Sequence, residues 1–407
     1  MAAVYRGGGG MVIPKRRNMY SFEASLSQAS SQIDISHLSL DNNNNNNKNE
    51  DKPKKDSKSD SSSSLSQSSD VPLKSELEYL SLELSTDWNE RFQRAIETLR
   101  ICERTPNLNP NLKYEVAHLL VNLARDFLYS AKIFGRIIIS ELCLPVEMKT
   151  IKPIDIGGYA GGVKFVVRNI LFKVAVDYHG LYGSDEAAAK VTGHELKGVQ
   201  NCFNANVDIR LPFMCIVDYL GWRILAMSIL PIDNSTIIYG SNDGGNTVHT
   251  SDADFNHKIE KLCKSLNLKG HICAGKKIYS CVDLEGHKGR DKHYYMCDFA
   301  RMFPPAPRDI VHKTGHLYQL LRPELVKTYP DGPLCADAYS GFIKEDPQRD
   351  EHNNEITHVL THIEQRIQGL CGLIYKMVSD AIKKGKLLQI KLTEVIHNAG
   401  INMRYLG

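Results

Sequence analysis

The sequence predicts an α+β fold with two lobes, because the spacing of its apolar residues changes along the chain. From Val71 to about Val146 the apolar residues recur at helical spacing. Between about Ile151 and Ile238 short apolar runs alternate with turn residues, as in antiparallel strands, and one helix interrupts them. Helical spacing returns after Gly315, most clearly from Glu355 to Ile382. This order predicts N-terminal packing helices, an antiparallel strand-rich lobe and a mainly helical C-terminal lobe.

The first 70 residues have the composition of a disordered, low-complexity tail. Asn42 to Asn47 and Ser61 to Ser64 are homopolymers, and charges alternate from Lys52 to Asp60. Such a segment holds too few apolar side chains to offset the entropy that ordering costs. We therefore divide the chain into a disordered tail (residues 1–70), an N-terminal helical part (residues 71–150) and a core (residues 151–407).

Helix and strand signals follow the tail in order. Asp87 stands three residues before Glu90, the spacing of a capping box, and an apolar stripe runs from Val116 to Phe134. Apolar runs flank Arg168-Asn169 as in a hairpin, and a helix is expected from Ser184 to about Asn201. The N-terminal helices carry no group typical of a reaction, so we interpret them as packing elements.

Composition limits the classes of function. The 50 basic and 47 acidic residues leave a net charge of +3, which argues against sequence-independent binding of nucleic acid and predicts no DNA partner. The ten cysteines are scattered, mostly among apolar neighbours, as in reduced proteins of the cytoplasm. No apolar run reaches the ~18–20 residues that span a bilayer, so no membrane insertion is predicted. The sequence does not predict an oligomeric state.

The stretch from Tyr279 to Pro307 carries the most concentrated set of candidate site residues. Two short strand-like runs flank a charged turn, and the second run leads directly into Asp298. We predict binding residues here, namely His287, Arg290, Asp298 and Arg301. An alternative is that Asp298 and Arg301 form a buried ion pair that orients this corner of the fold.

A second hypothesis for the same region is a kinase-like body that binds ATP and Mg²⁺. The glycine-rich turn at residues 157–162 would cover the phosphates, Lys173 and Glu195 would pair beneath it, and Asp298 would hold the metal ion. The sequence lacks a His-Arg-Asp motif followed by Asn, and Asp283 and His287 are the nearest substitutes. The hypothesis therefore extends to a pseudokinase, and the main interpretation assigns no catalytic residue and no cofactor.

Spacing alone supports neither a metal site nor a defined RNA surface. The candidate zinc ligands are His271, Cys273, Cys281, His287, His293 and Cys297. Their spacings fit no zinc pattern, so no metal is predicted. For RNA, the cations and aromatic rings available to one patch are Arg168, Lys173, Lys197, Arg223, Arg290, Lys292, His293, Arg301 and Arg322, with Trp222, Tyr294 and Tyr295. The alternative is that these charges are scattered over a solvated surface.

Several segments form an ordered series of motifs along the chain. They are Asp87 to Gln93, Ser184 to Glu186 with Gly193 to Gly198, Val217 to Arg223, Tyr239 to Gly244, Tyr279 to Pro307, Arg322 to Val326 and Gly400 to Gly407. The series resembles the clustered mitochondria (Clu) domain family. Ordered matches over about 320 residues are far more specific than one short motif.

The resemblance implies a cytoplasmic binding or scaffold protein. The family is associated with mitochondrial distribution and with binding messenger RNAs for mitochondrial proteins, so messenger RNA and ribosome-associated proteins are the implied partners. The match runs to Gly407, where the family's domain ends, and a low-complexity segment precedes it, so a stand-alone Clu domain is expected. If RNA contacts depend on the additional domains of longer family members, the RNA role does not transfer to this chain.

Overall fold

A pair of helices covers one face of a large sheet. The computed structural model describes residues 2–6, 87–105, 110–155, 162–309 and 311–405. Helix α1 (Trp88–Arg104) begins after Asp87, whose side chain accepts a hydrogen bond from the Glu90 backbone N–H, as the capping spacing predicted. Helix α2 (Pro110–Ser140) packs against α1, and the rings of Trp88 and Phe127 meet edge to face.

Within the described residues, the large sheet has six strands in the order β1-β5-β6-β4-β3-β2. They are β1 (Ala2–Arg6), β2 (Pro153–Ile154), β3 (Lys164–Val167), β4 (Ile170–Val174), β5 (Met214–Tyr219) and β6 (Trp222–Ser228). All neighbouring strands are antiparallel except β1 and β5. Phe172 of β4 packs into the core beneath the helix pair, so the next residue, Lys173, points to the opposite face. Helix α3 (Asp185–Asn204) lies on that face.

Strand β1 lies inside the segment for which the sequence predicts disorder. Its backbone pairs in parallel with β5, from Ala2 beside Met214 to Arg6 beside Asp218. For these five residues the structure differs from the prediction. The edge of β5 offers backbone N–H and C=O groups that pair with residues 2–6. The composition of residues 2–6 gives no information about such a distant partner. Residues 7–86, with the rest of the predicted tail, lie outside the described residues.

A second sheet carries the stretch from Tyr279 to Pro307. In the described part of the chain it has the strand order β12-β11-β7-β8, and a separate hairpin pairs β9 with β10. These elements are β7 (Ile237–Gly240), β8 (His249–Thr250), α4 (Ala253–Ser265), β9 (Gly270–Cys273), β10 (Lys276–Tyr279), β11 (Glu285–Lys288) and β12 (Tyr294–Cys297). The combination of antiparallel sheets with packed helices confirms the predicted α+β class.

Helices dominate the last part of the chain, as predicted. They are α5 (Pro323–Lys327), α6 (Arg349–Lys383) and α7 (Leu392–Asn398). Pro323 is the first residue of α5, a position that suits proline because the N–H it lacks would have no acceptor in a first helical turn. Among the described helices, none combines the length and the apolar character needed to cross a membrane.

Candidate functional site

Lys173 of β4 and Asp298, which follows β12, meet where the two sheets approach each other. Lys173 Nζ donates a hydrogen bond of 2.8 Å to Asp298 Oδ1. The side chains remain 30% and 36% exposed, so a ligand can reach them from solvent. Burial alone would lower the pKa of Lys173, but the carboxylates of Asp298 and Glu195 outweigh burial and raise this pKa above its ordinary value. Lys173 is therefore a permanently charged cation in a cleft that solvent reaches.

Glu195 of α3 joins this pair through the backbone. Its Oε2 accepts a hydrogen bond of 2.7 Å from the N–H of Phe299, next to Asp298. Burial and then the Asp298 carboxylate raise the pKa of Glu195 to about 7, whereas Lys173 and the Phe299 N–H oppose the shift. The three residues of the kinase-like hypothesis thus lie together at one corner, but Lys173 is ion-paired with Asp298 and not with Glu195, as that hypothesis expected. The glycine-rich turn of that hypothesis falls on residues 157–162, of which 157–161 lie outside the described residues.

Two backbone features give the corner its shape. Asp298 has a φ of +59°, in the left-handed region that residues other than glycine rarely adopt. Gly198 of α3 faces Phe299, the residue after Asp298. A Cβ built on Gly198 would lie 2.5 Å from the Cβ of Phe299. Glycine at this position therefore allows α3 to approach closely enough for Glu195 to reach the Phe299 N–H.

A second lysine and a third carboxylate border the Lys173–Asp298 pair. Lys164 of β3 stands opposite Lys173 in the sheet register, and burial and then Lys173 lower its pKa. The carboxyl group of Glu285 on β11 interacts with that of Asp298. Burial raises the pKa of Glu285 to about 7, the contact with His287 opposes the shift, and Asp298 adds to it. The cleft can therefore offer ammonium groups to phosphate oxygens and carboxylates to a cation.

The alternative interpretation, an ion pair between Asp298 and Arg301, is wrong, because Arg301 pairs with Asp283 and Asp337. Arg301 Nε donates a hydrogen bond of 2.6 Å to Asp283 Oδ2, and its Nη2 binds the other oxygen of the same carboxylate. Asp298 instead turns toward Lys173, as its left-handed backbone allows. Asp283, the nearest substitute for a catalytic aspartate, is consequently held by a guanidinium group.

A fully buried aspartate lies behind Arg301. Asp337 Oδ1 is 3.5 Å from Arg301 Nη2, and its Oδ2 accepts a hydrogen bond of 2.8 Å from the Val282 N–H. His271 Nε2 lies 3.1 Å from the same Oδ2. The sequence interpretation missed Asp337, because no local pattern connects it with Arg301 or with His271.

The predicted binding residues separate into different places. His287 faces Glu285, with 3.2 Å between His287 Nε2 and Glu285 Oε2. Arg290 lies on the turn between β11 and β12, 70% exposed, where it binds Asp233. His287 and Asp298 therefore flank Glu285, whereas Arg290 belongs to the outer surface. The sequence could have predicted that Glu285 lies beside His287, because residues two apart on a strand lie on the same face.

Carboxylates neutralise many of the cations proposed for an RNA surface. Within the described residues, the cations with a carboxylate partner include Lys173, Arg223, Arg290, Arg301 and Arg322. Tyr295, one of the rings proposed for stacking, is fully buried. These residues therefore do not form a continuous basic patch, free of neighbouring carboxylates, of the kind that attracts RNA phosphates.

Comparisons with known proteins point to one family. A family model described as "Clustered mitochondria" matches residues 87–308. A "Clustered mitochondria protein homolog" of Neurospora crassa is 29% identical over 266 residues, which cover 59% of this chain and 19% of that protein. Proteins of the same name from Vanderwaltozyma polyspora and Danio rerio are 23% identical over 379 residues and 29% identical over 233 residues. The matches cover 82% and 54% of this chain, but only 28% and 16% of those two proteins. No solved structure matches the chain.

Proposed function

Because the chain belongs to the clustered mitochondria family, we propose that it acts in mitochondrial organisation as a binding or scaffold module of the cytoplasm. The family match over residues 87–308 carries this proposal. That range includes the helix pair, the strands β2–β12 and the corner formed by Lys173, Glu195 and Asp298. The part of the fold that relates this chain to the family is thus also the part that contains the polar cleft.

Cells that lack the chain are expected to show clustered mitochondria, and expression of the wild-type chain should restore their even distribution. The measurement is the fraction of cells with collapsed mitochondria in fluorescence images. A variant at an exposed lysine of α4, Lys261→Met, should restore the distribution equally well. An unchanged distribution in cells without the chain would rule out this cellular role.

A second candidate function is binding of Mg²⁺ with ATP, and the 2.8 Å contact between Lys173 and Asp298 favours it. In nucleotide sites of this kind a lysine binds phosphate oxygens and a carboxylate binds the metal ion. Burial alone would raise the pKa of Asp298, but Lys173 outweighs burial and lowers it, so the carboxylate is ionised at neutral pH. Because Arg301 holds Asp283, we expect binding of the pseudokinase kind and assign no phosphoryl-transfer step to this chain.

Calorimetry with Mg²⁺ and ATP on the full chain tests the nucleotide site. We expect saturable binding of one nucleotide, weakened ~10–100-fold in Asp298→Asn and in Lys173→Met, because each substitution removes a charge-assisted contact. Lys261→Met should bind as the wild type does. The absence of heat from a folded wild-type chain would refute nucleotide binding but leave the proposed cellular role intact. RNA crosslinking and partner capture would then be the next measurements.

A further inference from the structure

The β11–β12 hairpin places three metal-binding side chains on one face. Glu285 and Cys297 stand opposite each other in the register, and His287 lies two residues farther along β11. One ligand atom from each residue lies within 4.8 Å of the other two. The Glu285 Oε2 atom is 3.2 Å from His287 Nε2 and 3.9 Å from Cys297 Sγ. His287 and Cys297 are buried, so their orientations are set by packing.

The hydrogen bonds of Thr236 indicate that the Nδ1 atom of His287 carries a proton. The Thr236 hydroxyl has one hydrogen, and its 2.7 Å contact with the Asp233 carbonyl oxygen requires that hydrogen. His287 Nδ1 lies 3.0 Å from the same hydroxyl and must therefore donate its own proton to it. The other ring nitrogen, Nε2, faces Glu285.

His287 Nε2 and Glu285 Oε2 face each other at 3.2 Å, and the Cys297 Sγ atom lies 3.9 Å from the same Oε2. On its other side Glu285 interacts with Asp298, whose carboxylate is ion-paired with Lys173. A cation among the three side chains would satisfy Nε2, Oε2 and Sγ together.

We propose that Glu285, His287 and Cys297 bind one divalent transition-metal ion of the zinc class through Oε2, Nε2 and Sγ. Zinc bonds of ~2.0–2.3 Å at tetrahedral angles place neighbouring ligand atoms about 3.3–3.6 Å apart. The distances from Glu285 Oε2 to His287 Nε2 (3.2 Å) and to Cys297 Sγ (3.9 Å) lie on either side of this range. A mixed sulfur, nitrogen and oxygen set favours zinc over Mg²⁺, which prefers oxygen ligands. Three protein ligands leave a fourth position for water or for Asp298.

Thr236 supports this site without binding the ion. A histidine that binds a metal ion through one nitrogen usually donates the other N–H to a fixed acceptor, which sets the orientation of the ring. Here the Thr236 hydroxyl is that acceptor, and the backbone N–H of Asp233 in turn donates to it. The site does not require nucleotide binding, because none of its three ligands belongs to the Lys173–Asp298 pair.

The test is titration of the full chain, stripped of metal by a chelator, with Zn²⁺ in competition with a chromophoric chelator. We expect one tightly bound zinc ion per chain, and loss of this binding in His287→Gln and in Cys297→Ser. Thr236→Val should weaken it ~10–100-fold through the lost orientation of the ring. The matched controls are His293→Gln on the exposed turn of the same hairpin and Cys143→Ser at an exposed cysteine, and both should bind like the wild type.

Cobalt provides a measurement that needs no substitution. Co²⁺ added to the wild-type chain should give the absorption band of a thiolate-to-cobalt charge transfer, which reports a cysteine ligand directly. Zinc should also raise the melting temperature of the wild type and of His293→Gln but not that of His287→Gln. The proposal fails if the wild type binds no stoichiometric zinc, if the cobalt band is absent, or if binding survives in both His287→Gln and Cys297→Ser.

Discussion

Replacement of Arg301 by methionine is expected to lower the free energy of unfolding by about 3 kcal/mol. Removal of one partner of a buried ion pair costs roughly 3–5 kcal/mol, because the remaining charge stays buried without its counter-charge. Asp337 is fully buried and would lose Arg301, although His271 would still face it, which is why we expect the lower end of this range. Methionine also removes the guanidinium group that lies over the ring of Phe342. Denaturant unfolding of both proteins measures the difference.

The matched control is Arg290→Met, which removes an exposed arginine that is also paired with an aspartate. Exposed ion pairs contribute little to stability, so this variant should unfold close to the wild-type midpoint. Arg301→Lys should fall between the two, because lysine keeps the charge but cannot bind Asp283 through two nitrogens. Equal stability of Arg301→Met and Arg290→Met would contradict a structural role for this buried pair.

The corner formed by Lys173, Glu195 and Asp298 follows from local sequence patterns. Lys173 stands in a strand between apolar neighbours, Glu195 lies in the next predicted helix, and Asp298 follows a strand directly. Each of these placements depends on residues close in sequence, where strand and helix periodicities are informative. The kinase-like hypothesis then supplied the long-range arrangement, and the structure brings the three side chains together.

Partners that are far apart in sequence could not be predicted in the same way. The alternative interpretation paired Arg301 with Asp298, three residues away, but the partners of Arg301 are Asp283 and Asp337. Asp298 has a left-handed backbone, a conformation that aspartate adopts only occasionally and that the local sequence does not predict here. Chain proximity was therefore a poor guide to ion pairing at this corner.

The zinc-class site shows the same limit. Spacing along the chain fitted no zinc pattern, because such patterns describe ligands held by one short turn. In the structure, Glu285 and Cys297 become neighbours only through the register of the β11–β12 hairpin. Glu285 was also not considered as a ligand, although the two-residue period of a strand puts it beside His287. Strand β1 is a comparable case, since its partner β5 begins more than 200 residues later.

His271 is expected to make the stability of the fold decrease at alkaline pH. Burial alone would lower the pKa of His271, but Asp337 and Cys335 outweigh burial and raise it to about 10, from about 6.5 in the unfolded chain. Between these two values the folded state binds more protons than the unfolded state, so the free energy of unfolding falls as pH rises. The contribution is fully present below pH 6.5 and is lost as pH passes through about 10. We expect a decrease on the order of a few kcal/mol across this interval.

The comparison with His271→Gln separates this effect from the titration of lysines, tyrosines and cysteines. Glutamine keeps a donor beside Asp337 but has no proton to lose, so the variant should be less stable than the wild type near pH 6 and should show a flatter alkaline slope. His293→Gln, at an exposed histidine, should reproduce the wild-type profile. Unfolding curves from pH 6 to pH 10 would give the slopes. If the slopes of His271→Gln and the wild type coincide, His271 is neutral in the folded protein, and Asp337 must then be balanced by Arg301 alone.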